Sequence, residues 1–232
     1  MAQGEKKKNS LFSQDSGLTQ FLQFAGELII LSLLWVLTSI PVITIGTSTA
    51  ALYYAVVKSV RCSRGSFVKE YFHAWKQNLF KGCILTVFWL LCIIFLYNCM
   101  QNLGTSMWEL LSPEHVPAGS GESMLGLYLI CGLAMIILGI LFIYIFPVLS
   151  RFDIGTVQIL FMAFVMAIRY IHYTIALVAV LLALGVLAVR IPAAMMFVPG
   201  VWAMTSSHLI EKAMKKYLPE PAEGEDAWWL EL

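Results

Sequence analysis

Apolar runs near residues 22–40, 81–100, 125–147, 171–189 and 192–210 are each close to the length that crosses a bilayer. A hydrocarbon core of about 30 Å takes roughly 20 helical residues. In lipid every backbone amide and carbonyl must be satisfied within the protein, so runs of this kind are expected as helices. Of 232 residues, 59% are hydrophobic and 12% charged, and mean hydropathy is +0.80. A soluble domain is about half apolar and a quarter charged. The expected fold is therefore all-α, a polytopic membrane helix bundle.

A shorter and more polar run, residues 41–60, either crosses the membrane or lies in its interface. Charge bears on the choice, because short cytoplasmic loops collect lysine and arginine while acids count for little. The segment 58–81 holds Lys58, Arg61, Arg64, Lys69, Lys76 and Lys81, whereas 101–123 holds Glu109, Glu114 and Glu122 without a base. Lys6, Lys7 and Lys8 mark the N-terminus as cytoplasmic, and Lys212, Lys215 and Lys216 do the same for the C-terminus. Keeping both the N-terminus and 58–81 inside requires 41–60 to cross, giving six spans. The alternative has five spans, with 41–60 in the interface and three lysines on the wrong side. The chain divides into a cytoplasmic tail (1–20), a transmembrane domain (21–213) and an acidic cytoplasmic tail (214–232) that ends near Trp228 and Trp229.

Two cytoplasmic-side helices are expected between spans. Residues 66–80 carry Phe67, Tyr71, Phe72, Trp75 and Leu79 at three-to-four-residue spacing, the mark of an amphipathic interfacial helix. A helix unbroken from Ile154 to Val189 would run about 54 Å. A break is therefore expected near Arg169 to His172, leaving 154–168 as the second such helix.

The stretch "FPVLSRFDIG" (146–155) reads first as a joint. Pro147 should end a span, Arg151 should reach lipid head groups, and Ser150 or Asp153 should cap the next helix. A buried functional pair of Arg151 and Asp153 is the second reading. Glu27 is expected to snorkel or to meet a base such as Lys81. Arg169, His172 and Arg190 are expected as interfacial anchors.

The cysteines Cys62, Cys83, Cys92, Cys99 and Cys131 show no metal-ligand spacing, and His73 and His208 have no ligand partner near them in sequence. No phosphate-binding loop, HExxH or GxSxG pattern occurs. Neither metal nor cofactor is expected, and no catalytic residue is assigned. The net charge of +1 comes from bases clustered beside apolar runs, which argues against nucleic acid as a partner.

The segments "LLWVLTSIPVITIGTSTAALYYAVVKSVRCSRGSFVKEYFHAWKQNLFKG" and "FPVLSRFD" resemble the YesL family of bacterial membrane proteins, a domain-of-unknown-function family. The resemblance covers roughly residues 20–210, and Thr47 stands where many relatives have proline. It implies no catalytic residues. Because such proteins are often encoded beside carbohydrate ABC importers, it implies an accessory or regulatory role in sugar import at the bacterial inner membrane. The alternative is a small transporter of a sugar or related solute. Partners would be the lipid bilayer and permease or ATPase subunits of the importer. The expected contact residues are Phe72, Trp75, Lys76 and Asn78, with Arg151 and Asp153 holding the second cytoplasmic-side helix.

Overall fold

In the computed structural model, the residues whose placement is described are 17–110, 120–191, 194 and 196–217. Lys6, Lys7 and Lys8, expected at the cytoplasmic side, Glu114 and the tail with Trp228 and Trp229 lie outside them. Among the described residues the chain is helical without strands.

The helices are α1 (Gly17–Thr38), α2 (Ile45–Ala55), α3 (Phe67–Leu110), α4 (Ser120–Arg151), α5 (Thr156–Arg169), α6 (Ile171–Arg190) and α7 (Val198–Met214). A 3-10 turn, Val42–Thr44, leads into α2, and a π-helical segment, Val56–Arg61, continues it.

Four helices are long and apolar enough to cross a membrane, over Thr19–Thr38, Phe67–Thr105, Met124–Arg151 and Ile171–Arg190. Their outward faces carry large apolar side chains such as Phe21, Leu91, Phe95, Ile130 and Leu182. The chain therefore reads as a membrane protein. The fifth expected run, 192–210, corresponds to a later helix, α7, which opens with a proline in its first turn. With 17 residues it is shorter than those four, as are α2 with 11 and α5 with 14.

Residues 66–80 do not form a separate interfacial helix. They are the first turns of α3, a single helix of 44 residues, about 66 Å long. The reason lies in the stripe that suggested the interface. Tyr71 and Ala74 are fully buried, with Phe67 and Trp75 packed beside them, against Leu28, Leu31, Ala51, Leu52 and Val56 of α1 and α2. Protein covers that face, so no elbow is needed. The second expected break does occur. At Tyr170 the backbone leaves helical geometry (φ −114°, ψ 45°), separating α5 from α6. Thr174 then clasps the joint, its hydroxyl donating to the Ala167 carbonyl at 3.0 Å.

Pro147 lies inside α4 and does not end it. Proline removes one helical hydrogen bond, a loss that membrane helices tolerate where neighbouring groups take up the slack. The acceptor freed by Pro147 is the Ile143 carbonyl; α4 nevertheless runs on to Arg151, with Ser150 Oγ donating to the Pro147 carbonyl at 2.7 Å one turn from the helix end.

The core has two parts. One joins α2, α4, α5 and α7 through Tyr53, Tyr144, Phe146, Ile159, Met166 and Ile210. The other joins α1 and α2 to the start of α3. Helix α2 is the common member, with eight of its eleven residues buried. Small residues make that position possible. Gly46 faces the Phe146 ring and Thr86, and Gly82 faces Thr47. Thr47 donates its hydroxyl to the Leu79 carbonyl at 3.3 Å.

Candidate functional site

The end of α4 carries Arg151 inward. Its Nε and Nη2 both donate to Glu211 Oε1 on α7, at 3.0 and 2.7 Å. Each of the two side chains is only 3% exposed. Tyr53 of α2 donates its hydroxyl to the same carboxylate oxygen at 3.0 Å. One helical turn earlier on α7, Ser207 accepts from Arg61 Nη1 at 3.2 Å and donates to the Met204 carbonyl. Thus α2, its π-helical end, α4 and α7 meet at one buried cluster of charge. The other oxygen, Glu211 Oε2, is buried without a hydrogen-bond partner among the described residues.

Two charges withdrawn from water each carry a desolvation cost of several kcal/mol, which close, well-shaped pairing must offset. Sharing one carboxylate oxygen among a guanidinium and a phenol does this locally. It also fixes three helices in one relative position, because none can shift without stranding a charge.

A cavity of about 70 Å³ borders the cluster, lined by Thr49, Tyr53, Phe142, Pro147, Trp202 and Ser206 among others. It sits beside the proline, where the helix cannot pack as tightly as a regular one. Among the described residues no group of three or more His, Cys, Asp or Glu is placed to hold a metal ion.

The expected site residues separate. Arg151 is buried on Glu211 and does not reach head groups, because α7 brings a carboxylate to it. Asp153 is not its partner: that side chain is 85% exposed and pairs with Lys81 Nζ at 2.5 Å. The hydrogen bond from Lys81 and its positive charge hold the Asp153 carboxyl below the usual aspartate range. An exposed pair of this kind contributes little to stability. Lys81 also donates to the Ile154 carbonyl, so it staples the α4–α5 turn.

Helix α5 is not capped by Ser150 or Asp153; its N-cap is Gly155, whose amide donates to Gln158 Oε1 at 3.1 Å. With Lys81 committed to Asp153, Glu27 instead accepts from Gln23 Nε2 at 3.2 Å. Of the four contact residues expected on α3, Phe72 and Lys76 are exposed and Trp75 and Asn78 half-buried. Asn78 donates to its own helix at Ala74, while Trp75 Nε1 is buried without a partner among the described residues. Arg169, His172 and Arg190 are exposed at helix ends, as interfacial anchors would be.

Sequence reasoning passed over Tyr53, Arg61, Ser207 and Glu211 as a group. A signal for Glu211 existed: Ala203, Ser207, Ile210 and Met214 recur at helical spacing, and Glu211 lies on the same stripe. Its partners, 60 and 158 residues away in sequence, carry no such mark.

Residues 28–98, from α1 into the membrane-crossing part of α3, match the family described as Protein of unknown function, DUF624. No curated protein and no solved structure matches the chain.

Proposed function

From the premise that residues 28–98 carry the DUF624 domain, as YesL-family proteins do, we propose that the chain is an accessory or regulatory subunit. It would serve a bacterial carbohydrate ABC import system in the cytoplasmic membrane. The reading is of a protein that acts by contact and not of an enzyme.

One stripe on α3 carries the proposal. Phe72 is 37% exposed and Phe80 79%, and Lys76 is exposed midway between them, at i, i+4 and i+8 along one face. Phenylalanine suits lipid tails or an apolar partner. A lysine at the same depth is costly unless it snorkels to the surface or meets a carboxylate. A permease helix with an acid opposite Lys76 satisfies all three side chains.

The register of α2 favours a partner within the bilayer. It runs antiparallel beside α3, with Lys58 on Glu70, Thr47 on Leu79 and Gly46 on Thr86. The two segments therefore share a depth. That depth suits a permease subunit alongside better than an ATPase in the cytosol.

Six crossings belong to the same reading, with two short spans: α7, about 25 Å long, and α2, about 17 Å long and extended by the π-helical segment. Because protein sheathes α2 on most sides, its Thr and Ser residues need not reach the hydropathy of a lipid-facing helix. Both termini and the turn before α3 would be cytoplasmic. In intact cells, on a cysteine-free background, Ser120→Cys should react with an impermeant maleimide and Ser66→Cys should be protected. The opposite labelling would invert the bundle.

The contact is tested by Lys76→Glu. Co-purification of permease subunits should fall about tenfold or more, as when like charges are forced together. Growth on the imported oligosaccharide should fall with it, while the melting temperature stays unchanged. Unaltered co-purification and growth would end the proposal. The transporter alternative is less favoured, since the cavity between α2, α4 and α7, where a solute path through the bundle would run, is about 70 Å³ and holds only a few waters. Small-molecule pockets run from about 300 to 1,000 Å³.

A further inference from the structure

A groove of about 390 Å³ opens between the start of α1 and the turn that follows the π-helical segment. Gln20, Gln23 and Glu27 line it from α1, Ser59 and Ser63 from the opposite side, and Phe24 lies at its edge. The three α1 residues fall at i, i+3 and i+7, a polar stripe on an otherwise apolar helix.

Ser59 is 8% exposed, and its buried hydroxyl has no hydrogen-bond partner among the described residues. Buried polar atoms in folded proteins are almost always paired. An unmatched hydroxyl lining a polar groove therefore points to a partner beyond the described residues. The turn below is held in unusual backbone geometry, with Ser63 at φ 52° and Gly65 at φ 77°. For Ser63 this conformation is sterically unfavourable and is found where surrounding structure enforces it.

The lining chooses a ligand class. Glu27 is the one charged side chain among the lining residues, so phosphates and other anions find repulsion and no base. Its Oε1 already accepts from Gln23, and a single ring does not make a cage for an organic cation. Amides, a carboxylate and hydroxyls instead offer donors and acceptors in alternation, which is what a run of hydroxyl groups requires. Phe24 adds an apolar face for the C–H side of a ring. We propose that this groove binds a neutral polyhydroxylated ligand, a sugar ring either free in solution or borne as the head group of a glycolipid. The lipid source has structural support, because exposed Phe21 and Leu22 continue the rim onto the apolar surface of α1.

The inference stands on the groove alone and does not need the permease contact on α3. The full chain would be placed in phosphatidylethanolamine nanodiscs. One arm titrates glucose and maltose by saturation-transfer NMR; the other includes monoglucosyl diacylglycerol and reads retained lipid by native mass spectrometry. Saturable binding is expected in at least one arm, weakened about tenfold or more by Gln23→Ala and by Glu27→Ala. Neither change should alter the melting temperature, and Lys76→Glu should leave binding intact. Free sugar alone, glycolipid alone, or both would assign the source. Absence of binding in both arms, equal binding by the variants, or tighter binding of choline or glycerol phosphate than of glucose would overturn the site. Permease co-purification measured on the Gln23 and Glu27 variants keeps the two proposals separable.

Discussion

Replacing Glu211 with alanine is expected to cost about 3–5 kcal/mol, because it removes the carboxylate that the buried Arg151 guanidinium is paired with. Thermal unfolding in detergent should show a large drop in melting temperature, and expression should fall with it. Loss of packing at the same position would lower stability too, and a second change separates the two causes. The pair Arg151→Met with Glu211→Leu removes both charges and keeps comparable volume. It should recover most of the loss, as buried ion pairs replaced by apolar side chains commonly do. If the double variant is no more stable than Glu211→Ala, the cluster's contribution lies in shape and not in paired charge.

The helices that meet lipid were legible in the sequence because lipid imposes a length and a hydropathy that composition reports directly. Residues 19–38, 124–151 and 171–190 fell where their apolar runs placed them. The Tyr170 break was legible for the complementary reason: one crossing cannot absorb so long a run. Contacts within the protein were not legible in this way. Tyr71 and Trp75 have the spacing of an interfacial stripe, and only the packing of α1 and α2 across them reveals a core face. Pro147 looked like a terminator because local chemistry says so, yet tertiary packing carried α4 one turn further. Arg151 and Asp153, adjacent but for one residue, look like partners in sequence. A helix end sends one inward to Glu211 and the other outward to Lys81.

Gly46→Ala is expected to be the second severe change. A Cβ there would collide with the Phe146 ring and with Thr86 Oγ1, both of which are buried. The Gly46 amide also donates to that hydroxyl at 3.1 Å, so moving Thr86 aside sacrifices a buried hydrogen bond. Overpacking of this kind costs about 1–3 kcal/mol or more. A matched control is Gly139→Ala in α4, where an added Cβ meets nothing within 4 Å. That change should be neutral or stabilising by up to about 1 kcal/mol, since alanine is the better helix former. Adding Phe146→Leu to Gly46→Ala should restore part of the stability. Equal melting temperatures for the Gly46 and Gly139 variants would mean that α2 is not held at this point.

The Arg151–Glu211 pair also sets a clock on the making of the protein. Glu211 is synthesised 60 residues after Arg151, about 3–12 s later at the usual 5–20 residues per second. For that interval α4 and α2 have emerged without the Glu211 carboxylate that Arg151 and Tyr53 share in the finished fold. Until α7 arrives, the contact that ties α2 and α4 to the end of the chain is missing. The first six helices are therefore a provisional assembly, and the last helix is the one that closes it.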